Sequence, residues 1–202
     1  MGGSPCSRRS EAVLRVVIAE DEFLVAAMLR RQVEVYGHEV IASVTSGDKA
    51  VEICRVERPD LVLMDVQMPR MDGIEATRAL MAECPTCIVI VTGRAELEQA
   101  VEQAGAMGYA TKPLFGYQIP SLVEAARRRF ERFTAVREET NGRGNALQAW
   151  LLTRRAVSVL MNGTDTSEEQ AFSALDRIAA EEVISLPEAA GRVLAARELV
   201  GV

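Results

Sequence analysis

Residues 59–73, PDLVLMDVQMPRMDG, decide the fold of the first half of the chain. The apolar residues 61–64 show no polar alternation, which is typical of a central parallel strand that is buried on both faces. The strand pattern ends at Asp65, and a helix pattern begins near Asp72 and Gly73. Chemistry in open α/β sheets collects outside the carboxyl ends of the strands. Asp65 is therefore either a reactive carboxylate or only the cap of a turn.

Strand and helix patterns alternate around this stretch. Such strict alternation requires crossover connections, and therefore a parallel sheet with helices on both faces. We predict an α/β fold with a doubly wound five-stranded parallel sheet, followed by a long linker helix and a small three-helix bundle. The predicted strands are residues 15–19, 39–43, 61–64, 87–91 and 105–110, and the helices between them are residues 23–36, 46–57, 74–82 and 95–104.

The composition of the chain excludes several classes of protein. The 202 residues are 49% hydrophobic and 26% charged, which is ordinary for a globular protein. No segment approaches the ~18 uninterrupted apolar residues of a membrane span. Residues 1–13 lack the apolar core of a secretory signal and are predicted to be a disordered lead-in, so we expect a cytoplasmic protein. Cys84 and Cys87 form a CxxC pattern, but it precedes a strand and has no second pair, so we expect reduced thiols.

Polar side chains stand at the ends of four predicted strands. Glu20 and Asp21 follow the first strand, Asp65 the third, Thr92 ends the fourth and Lys112 follows the fifth. Grouped carboxylates repel one another unless a hard cation lies among them, and magnesium prefers oxygen ligands. One carboxylate could then attack a phosphoryl group, while an ammonium and a hydroxyl stabilise the transferring oxygens. The pattern predicts phosphoryl-transfer chemistry at this edge of the sheet.

The joint pattern resembles the receiver domain of two-component response regulators. The resemblance covers about the first 117 residues, and we place the receiver domain at residues 14–117. The residues that carry the resemblance are Glu20, Asp21, Asp65, Met68, Pro69, Asp72, Gly73, Thr92, Gly93, Lys112 and Pro113.

The resemblance implies a role for each site residue. Asp65 would accept a phosphoryl group from a sensor histidine kinase, and Thr92 and Lys112 would bind the phosphoryl oxygens. The bond from Lys112 to Pro113 would be cis. Tyr109 would be a switch residue that turns inward with Thr92, although an ordinary sheet-edge aromatic is the alternative. The chain would be a phosphoacceptor switch rather than an enzyme, except for self-phosphorylation and self-dephosphorylation. The implied Mg²⁺ ligands are Glu20, Asp21, Asp65 and the backbone carbonyl of Gln67.

The helix pattern after Pro113 is unusually long. Apolar residues recur at alternating four- and three-residue steps over residues 119–137, close to a heptad spacing. We predict a linker helix over residues 118–140. Its apolar stripe would either form a homodimer or pack against the second domain of the same chain, and the sequence leaves both open.

Residues 141–202 are predicted to form a three-helix output domain, whose second helix begins with a capping box formed by Ser167 and Gln170. Its pattern resembles the ANTAR domain, an RNA-binding antitermination module. The matching residues are the run SEEQAF at 167–172, Leu175, Ala179 and the run PEAA at 187–190. The family's Ala-Lys-Gly-Ile-Leu-Met run reads AVSVLM at residues 156–161, so Val157 and Ser158 replace the lysine and the glycine.

Two interpretations of the output domain follow. Residues 127–155 carry eight arginines against three glutamates, so they could contact the phosphates of an RNA hairpin. The arginines could instead be a solvated helix face on a module for protein interaction or dimerisation, which the acidic stretch 164–190 favours. The candidate RNA-binding residues are Arg127, Arg128, Arg129, Arg132, Arg154 and Arg155.

Overall fold

The computed structural model describes residues 13–139, 146–162 and 165–200. Residues 1–12 of the predicted lead-in lie outside the described residues, as do residues 140–145, where the predicted linker helix ends and the predicted output domain begins. Within the described ranges, no helix combines the length and the apolar character that crossing a membrane requires.

The first half of the chain forms a five-stranded sheet in which all strands are parallel, as predicted. Its strand order is β2-β1-β3-β4-β5, which places β1 and β3 side by side at the point where the order reverses. All four residues of β3 are buried, as the uninterrupted apolar run predicted. The strands are β1 (Arg15–Ala19), β2 (Glu39–Val44), β3 (Leu61–Met64), β4 (Ile88–Thr92) and β5 (Gly108–Thr111).

Helices connect consecutive strands, as the alternating pattern predicted. These connecting helices are α1 (Phe23–Val35), α2 (Gly47–Glu57), α3 (Gly73–Glu83) and α4 (Glu98–Ala104), and the long α5 (Ile119–Glu139) follows β5. The helix predicted from residue 95 begins as a 3-10 turn, Ala95–Leu97, before α4. The fifth strand starts later than predicted, because Gly105 ends α4 with a left-handed φ of 97° and pairing resumes only at Gly108.

The contacts between residues divide the chain into two compact units, Met1–Ala126 and Arg127–Val202. The division falls inside α5, so its first two turns belong to the first unit and its remainder to the second. The domain boundaries predicted after residues 117 and 140 stay predictions.

The second unit contains three further helices, α6 (Ala146–Met161), α7 (Glu168–Glu182) and α8 (Leu186–Val200), in the predicted order. Ser167 caps α7 through the predicted capping box with Gln170. An aromatic cluster fills the core, since the rings of Phe133 and Phe172 lie 6.1 and 6.0 Å from the indole of Trp150.

The aromatic cluster bears on the two interpretations of the apolar stripe of α5. Phe133 and Val136 are buried, and Phe133 contacts Trp150 edge-on within the same unit. The second half of the stripe therefore packs against its own chain, which is the alternative to a homodimer through residues 119–137.

Candidate functional site

Three carboxylates meet at the carboxyl edge of the sheet. Glu20 and Asp21 follow β1, Asp65 follows the neighbouring β3, and one oxygen of each lies within 4.8 Å of the others. Glu20 and Asp65 are only 1% and 6% exposed, whereas Asp21 is exposed. The structure thus brings together the carboxylates that the sequence pattern placed at one edge, and they offer the hard oxygen donors that a divalent cation prefers.

Lys112 lies between two of these carboxylates. Its Nζ is 2.7 Å from Glu20 Oε2 and donates a hydrogen bond of 2.9 Å to Asp65 Oδ2. Burial opposes the charged form of Lys112, yet the hydrogen bonds and charges of Glu20 and Asp65 outweigh it and raise the lysine pKa. One ammonium among three carboxylates leaves an excess of negative charge at the site.

Burial also governs the protonation of Glu20. It raises the pKa of Glu20 above the usual value, and the charge of Asp65 adds to this, while Lys112 acts in the opposite direction. Burial and the neighbouring charge of Asp65 both oppose ionisation of Glu20. A bound cation offsets both effects, so this arrangement favours cation binding.

The backbone around Asp65 fixes the position of its carboxylate. The Asp65 N–H donates to the carbonyl of Ala19 at 2.8 Å, and Asp65 Oδ1 accepts from the N–H of Val66 at 2.7 Å. Gly73 packs directly against this segment, because a Cβ at that position would lie 2.0 Å from the Asp65 carbonyl oxygen. Any larger residue at position 73 must displace the backbone of Asp65.

The loop after Asp65 is tied to the amino end of α2, a connection that sequence reasoning missed. Arg70 has a left-handed φ of 68°, and its guanidinium donates to Asp48 Oδ1 at 3.1 Å and to Ser46 Oγ. The N–H of Gly47 donates to the carbonyl of Met71 at 3.1 Å. The only sequence signal was an arginine within a turn. Gln67, whose carbonyl was the fourth predicted magnesium ligand, lies exposed at the start of this loop.

Thr92 and Tyr109 lie on β4 and β5, the two strands that follow β3 in the sheet. Thr92 ends β4 fully buried, and within the described residues its Oγ1 has no hydrogen-bond partner. A buried hydroxyl without a partner is unfavourable, so Thr92 can donate to an incoming oxyanion. Tyr109 in β5 donates its hydroxyl hydrogen bond to the Arg94 carbonyl at 2.9 Å, in the loop after β4. The bond from Lys112 to Pro113 is cis, as predicted.

The cysteines of the CxxC pattern are buried thiols, as expected for reduced residues. Cys84 and Cys87 are 8% and 1% exposed, and burial raises the pKa of Cys84. Burial also raises the pKa of Cys54 to about 12. Cys54 and Cys84 therefore carry little thiolate, which both metal binding and disulfide exchange require.

The candidate RNA-binding arginines are largely engaged within the second unit. Arg129 donates to both carboxylate oxygens of Glu168, at 2.7–3.2 Å, and Arg132 lies 4.0 Å above the ring of Phe172. Weaker ion pairs join Arg128 to Glu169 at 3.5 Å and Arg127 to Glu131 at 3.9 Å. On α6, Arg154 is half-buried and Arg155 is exposed.

The comparisons with known proteins agree with this geometry. Residues 16–126 match the response regulator receiver domain. The transcriptional regulatory protein PdtaR of Mycobacterium tuberculosis is 33% identical over 182 residues, which covers 89% of each chain. A protein-glutamate methylesterase/protein-glutamine glutaminase of Mesorhizobium japonicum is 43% identical over 110 residues, which covers 54% of this chain but only 32% of that protein.

A solved structure extends the likeness to the fold. The signal receiver domain of a modulated diguanylate cyclase from Desulfovibrio desulfuricans G20 superposes with a TM-score of 0.55 at 30% identity. It covers 59% of this chain and 98% of that chain. The receiver match spans more than half of the sequence and includes the residues of the acidic edge. The chain therefore belongs to the response regulators, and residues 16–126 form its receiver domain.

Proposed function

We propose that a sensor histidine kinase controls this protein by transferring a phosphoryl group to Asp65. The observation that carries the proposal is the position of Lys112, whose Nζ lies 2.7 Å from Glu20 and 2.9 Å from Asp65. A cation so placed can stay paired with Asp65 before transfer and with the phosphoryl oxygens afterwards.

The transfer is a nucleophilic substitution at phosphorus. An oxygen of Asp65 attacks the phosphorus of a phosphohistidine, a new P–O bond forms, and the P–N bond breaks to release the imidazole, which takes up a proton. Lys112 neutralises one phosphoryl oxygen and the Thr92 hydroxyl donates to another. The hydrogen bond from the Val66 N–H holds Asp65 Oδ1 in place, so the carboxylate is oriented before the donor arrives.

The residues at this edge fit magnesium. Glu20, Asp21 and Asp65 would hold the ion together with the backbone carbonyl of Gln67, and each of these groups supplies an oxygen. When bound, Mg²⁺ neutralises the negative charge that develops on the transferring phosphoryl group.

Phosphorylation with acetyl phosphate tests the assignment of Asp65. We expect the wild-type protein to gain one phosphoryl group by intact-protein mass spectrometry only when Mg²⁺ is present, and Asp65→Asn to gain none. Asp176→Asn is the matched control, since it makes the same substitution at an exposed site on α7. Equal modification of Asp65→Asn and the wild-type protein would show that the phosphoacceptor lies elsewhere.

We further propose that the second unit binds structured RNA and acts in transcription antitermination. Similarity to PdtaR, described as a transcriptional regulatory protein, spans 89% of the chain and therefore includes the second unit. The ANTAR-like run at residues 167–172 begins α7 with the capping box that the sequence predicted. Arginines from α5 and α6 supply the positive charge that phosphate contacts require.

A second candidate function is a protein-interaction or homodimerisation module that no longer binds RNA. Val157, which replaces the family's lysine, is 3% exposed and is therefore a core residue rather than a phosphate contact. The ion pair of Arg129 with Glu168 also makes one arginine less available to an incoming anion.

A gel-shift assay with the phosphorylated protein and an RNA hairpin separates the two functions. We expect a shift that Arg154→Ala combined with Arg155→Ala abolishes. The matched control is Arg177→Ala combined with Arg192→Ala, which removes the same charge from exposed positions on α7 and α8. The absence of a shift across a pool of hairpins, with an intact dimer by light scattering, would favour the interaction module.

A further inference from the structure

We propose that Arg129 and Arg132, with added positive charge from Arg154, form a phosphate-binding cluster that the carboxylate of Glu168 occupies as an internal competitor. The ligand class is a phosphodiester of the RNA backbone, so the inference rests on the proposed RNA-binding output. Glu168 then sets the affinity of the second unit for RNA, because a phosphate must take the place of its carboxylate.

Two side-chain pairs join α5 to α7, one turn apart on each helix. Arg129 forms a forked contact with Glu168, with its Nε and Nη2 at 2.9 and 2.7 Å from the two carboxylate oxygens. Three residues further on, the Arg132 guanidinium lies 4.0 Å above the ring of Phe172, which is four residues after Glu168. The two guanidinium groups therefore lie on adjacent turns of one helix face.

A third arginine acts on the charge of the same carboxylate. Burial opposes ionisation of Glu168, yet its pKa is lowered, because Arg129 donates hydrogen bonds to it and Arg129, Arg154 and Arg132 each contribute a positive charge. The positive charge of Arg154 on α6 thus adds to that of the two arginines on α5. The neighbouring Glu169 pairs with Arg128 at 3.5 Å and is exposed, so it holds its arginine only weakly.

The geometry that holds a carboxylate also suits a phosphate. A guanidinium binds either group through two parallel N–H donors, and a phosphodiester presents two oxygens at similar spacing. Stacking on the buried ring of Phe172 fixes the Arg132 guanidinium in advance. The Arg129 and Glu168 side chains are 28% and 32% exposed, so a ligand can reach the pair without unfolding the unit.

Removing the charge of Glu168 tests the inference directly. We expect Glu168→Gln to bind a labelled RNA hairpin at least about fivefold more tightly than the wild-type protein. We also expect the slope of log K against log salt to steepen by ~0.7–0.9, since one more guanidinium reaches a phosphate. Glu181→Gln is the matched control, because it makes the same charge change at an exposed position near the other end of α7. Adding Arg129→Ala to Glu168→Gln should return both the affinity and the slope to those of the wild type.

The outcomes separate this inference from the proposed output. Equal affinities and slopes for Glu168→Gln and Glu181→Gln, with wild-type binding intact, would overturn the inference and leave the RNA-binding output standing. Failure of both the wild-type protein and Glu168→Gln to bind any hairpin would overturn both. Buried Trp150 confirms by its fluorescence that each variant is folded, and a loss of stability without any gain in affinity would make Glu168 a structural ion-pair partner only.

Discussion

Truncation of Phe133 tests whether the end of α5 is part of the second unit's core. Phe133 is 1% exposed, and its ring lies 6.0 Å from that of Phe130 and 6.1 Å from that of Trp150. Phe133→Ala removes this ring from a packed aromatic cluster and leaves a cavity, which costs about 3–5 kcal/mol. For a unit of this size a loss of 3 kcal/mol corresponds to a decrease in Tm of about 12–24 °C.

The only tryptophan of the chain makes the assay specific. Trp150 is fully buried in the second unit, so its fluorescence during urea unfolding reports that unit. Phe23→Ala is the matched control, since Phe23 is 81% exposed in the receiver domain. We expect the control to change the free energy of unfolding by less than about 0.5 kcal/mol.

Two results would refute the packing of Phe133 within its own chain. A loss below about 1 kcal/mol for Phe133→Ala would mean that the ring does not contribute to the core. A loss that grows as the protein is diluted would instead mean that the stripe packs in a homodimer, because only association depends on concentration.

Three further predictions concern the acidic edge and the ion pair of α7. Gly73→Ala should abolish phosphorylation and lower the Tm in a thermal melt, since its Cβ would lie 2.0 Å from the Asp65 carbonyl oxygen. Gly93→Ala should leave both near wild type, because its Cβ would meet no described residue within 4 Å. Millimolar Mg²⁺ should raise the Tm of the wild-type protein but not of Asp21→Asn, because only a ligand of the folded state stabilises it. The pKa of Glu168 is lowered from its usual value of 4.5 in the folded state, so its charged form stabilises the fold and this contribution is lost as the pH falls below 4.5. In urea titrations the free energy of unfolding should therefore decrease more steeply with falling pH for the wild type than for Glu168→Gln.

The sequence was sufficient to predict the acidic edge because parallel strands end on the same side of a sheet. Glu20 and Asp65 are 45 residues apart, yet both directly follow buried apolar strands, and β1 and β3 are neighbours. The helices of the second unit followed equally well from their spacing and from the capping box at Ser167. In both cases a local pattern determines the structure.

Features that depend on distant partners could not be predicted in this way. Helical spacing showed that one face of α5 is buried, but not that Phe133 would meet Trp150. The arginine run indicated an open basic surface, whereas Arg129 binds a glutamate 39 residues away. Nothing in the sequence linked Arg70 to Ser46, because the two turns meet only once the sheet is assembled.

The division of α5 between two compact units limits how this regulator can be cut or grafted. A receiver fragment that ends at residue 140 would carry Phe133 without the Trp150 ring against which it packs. An output fragment that starts at residue 141 would lose the helix that covers Trp150. Exchange of the output with another regulator therefore requires a junction between Ala126 and Arg127 that keeps the helical phase of α5.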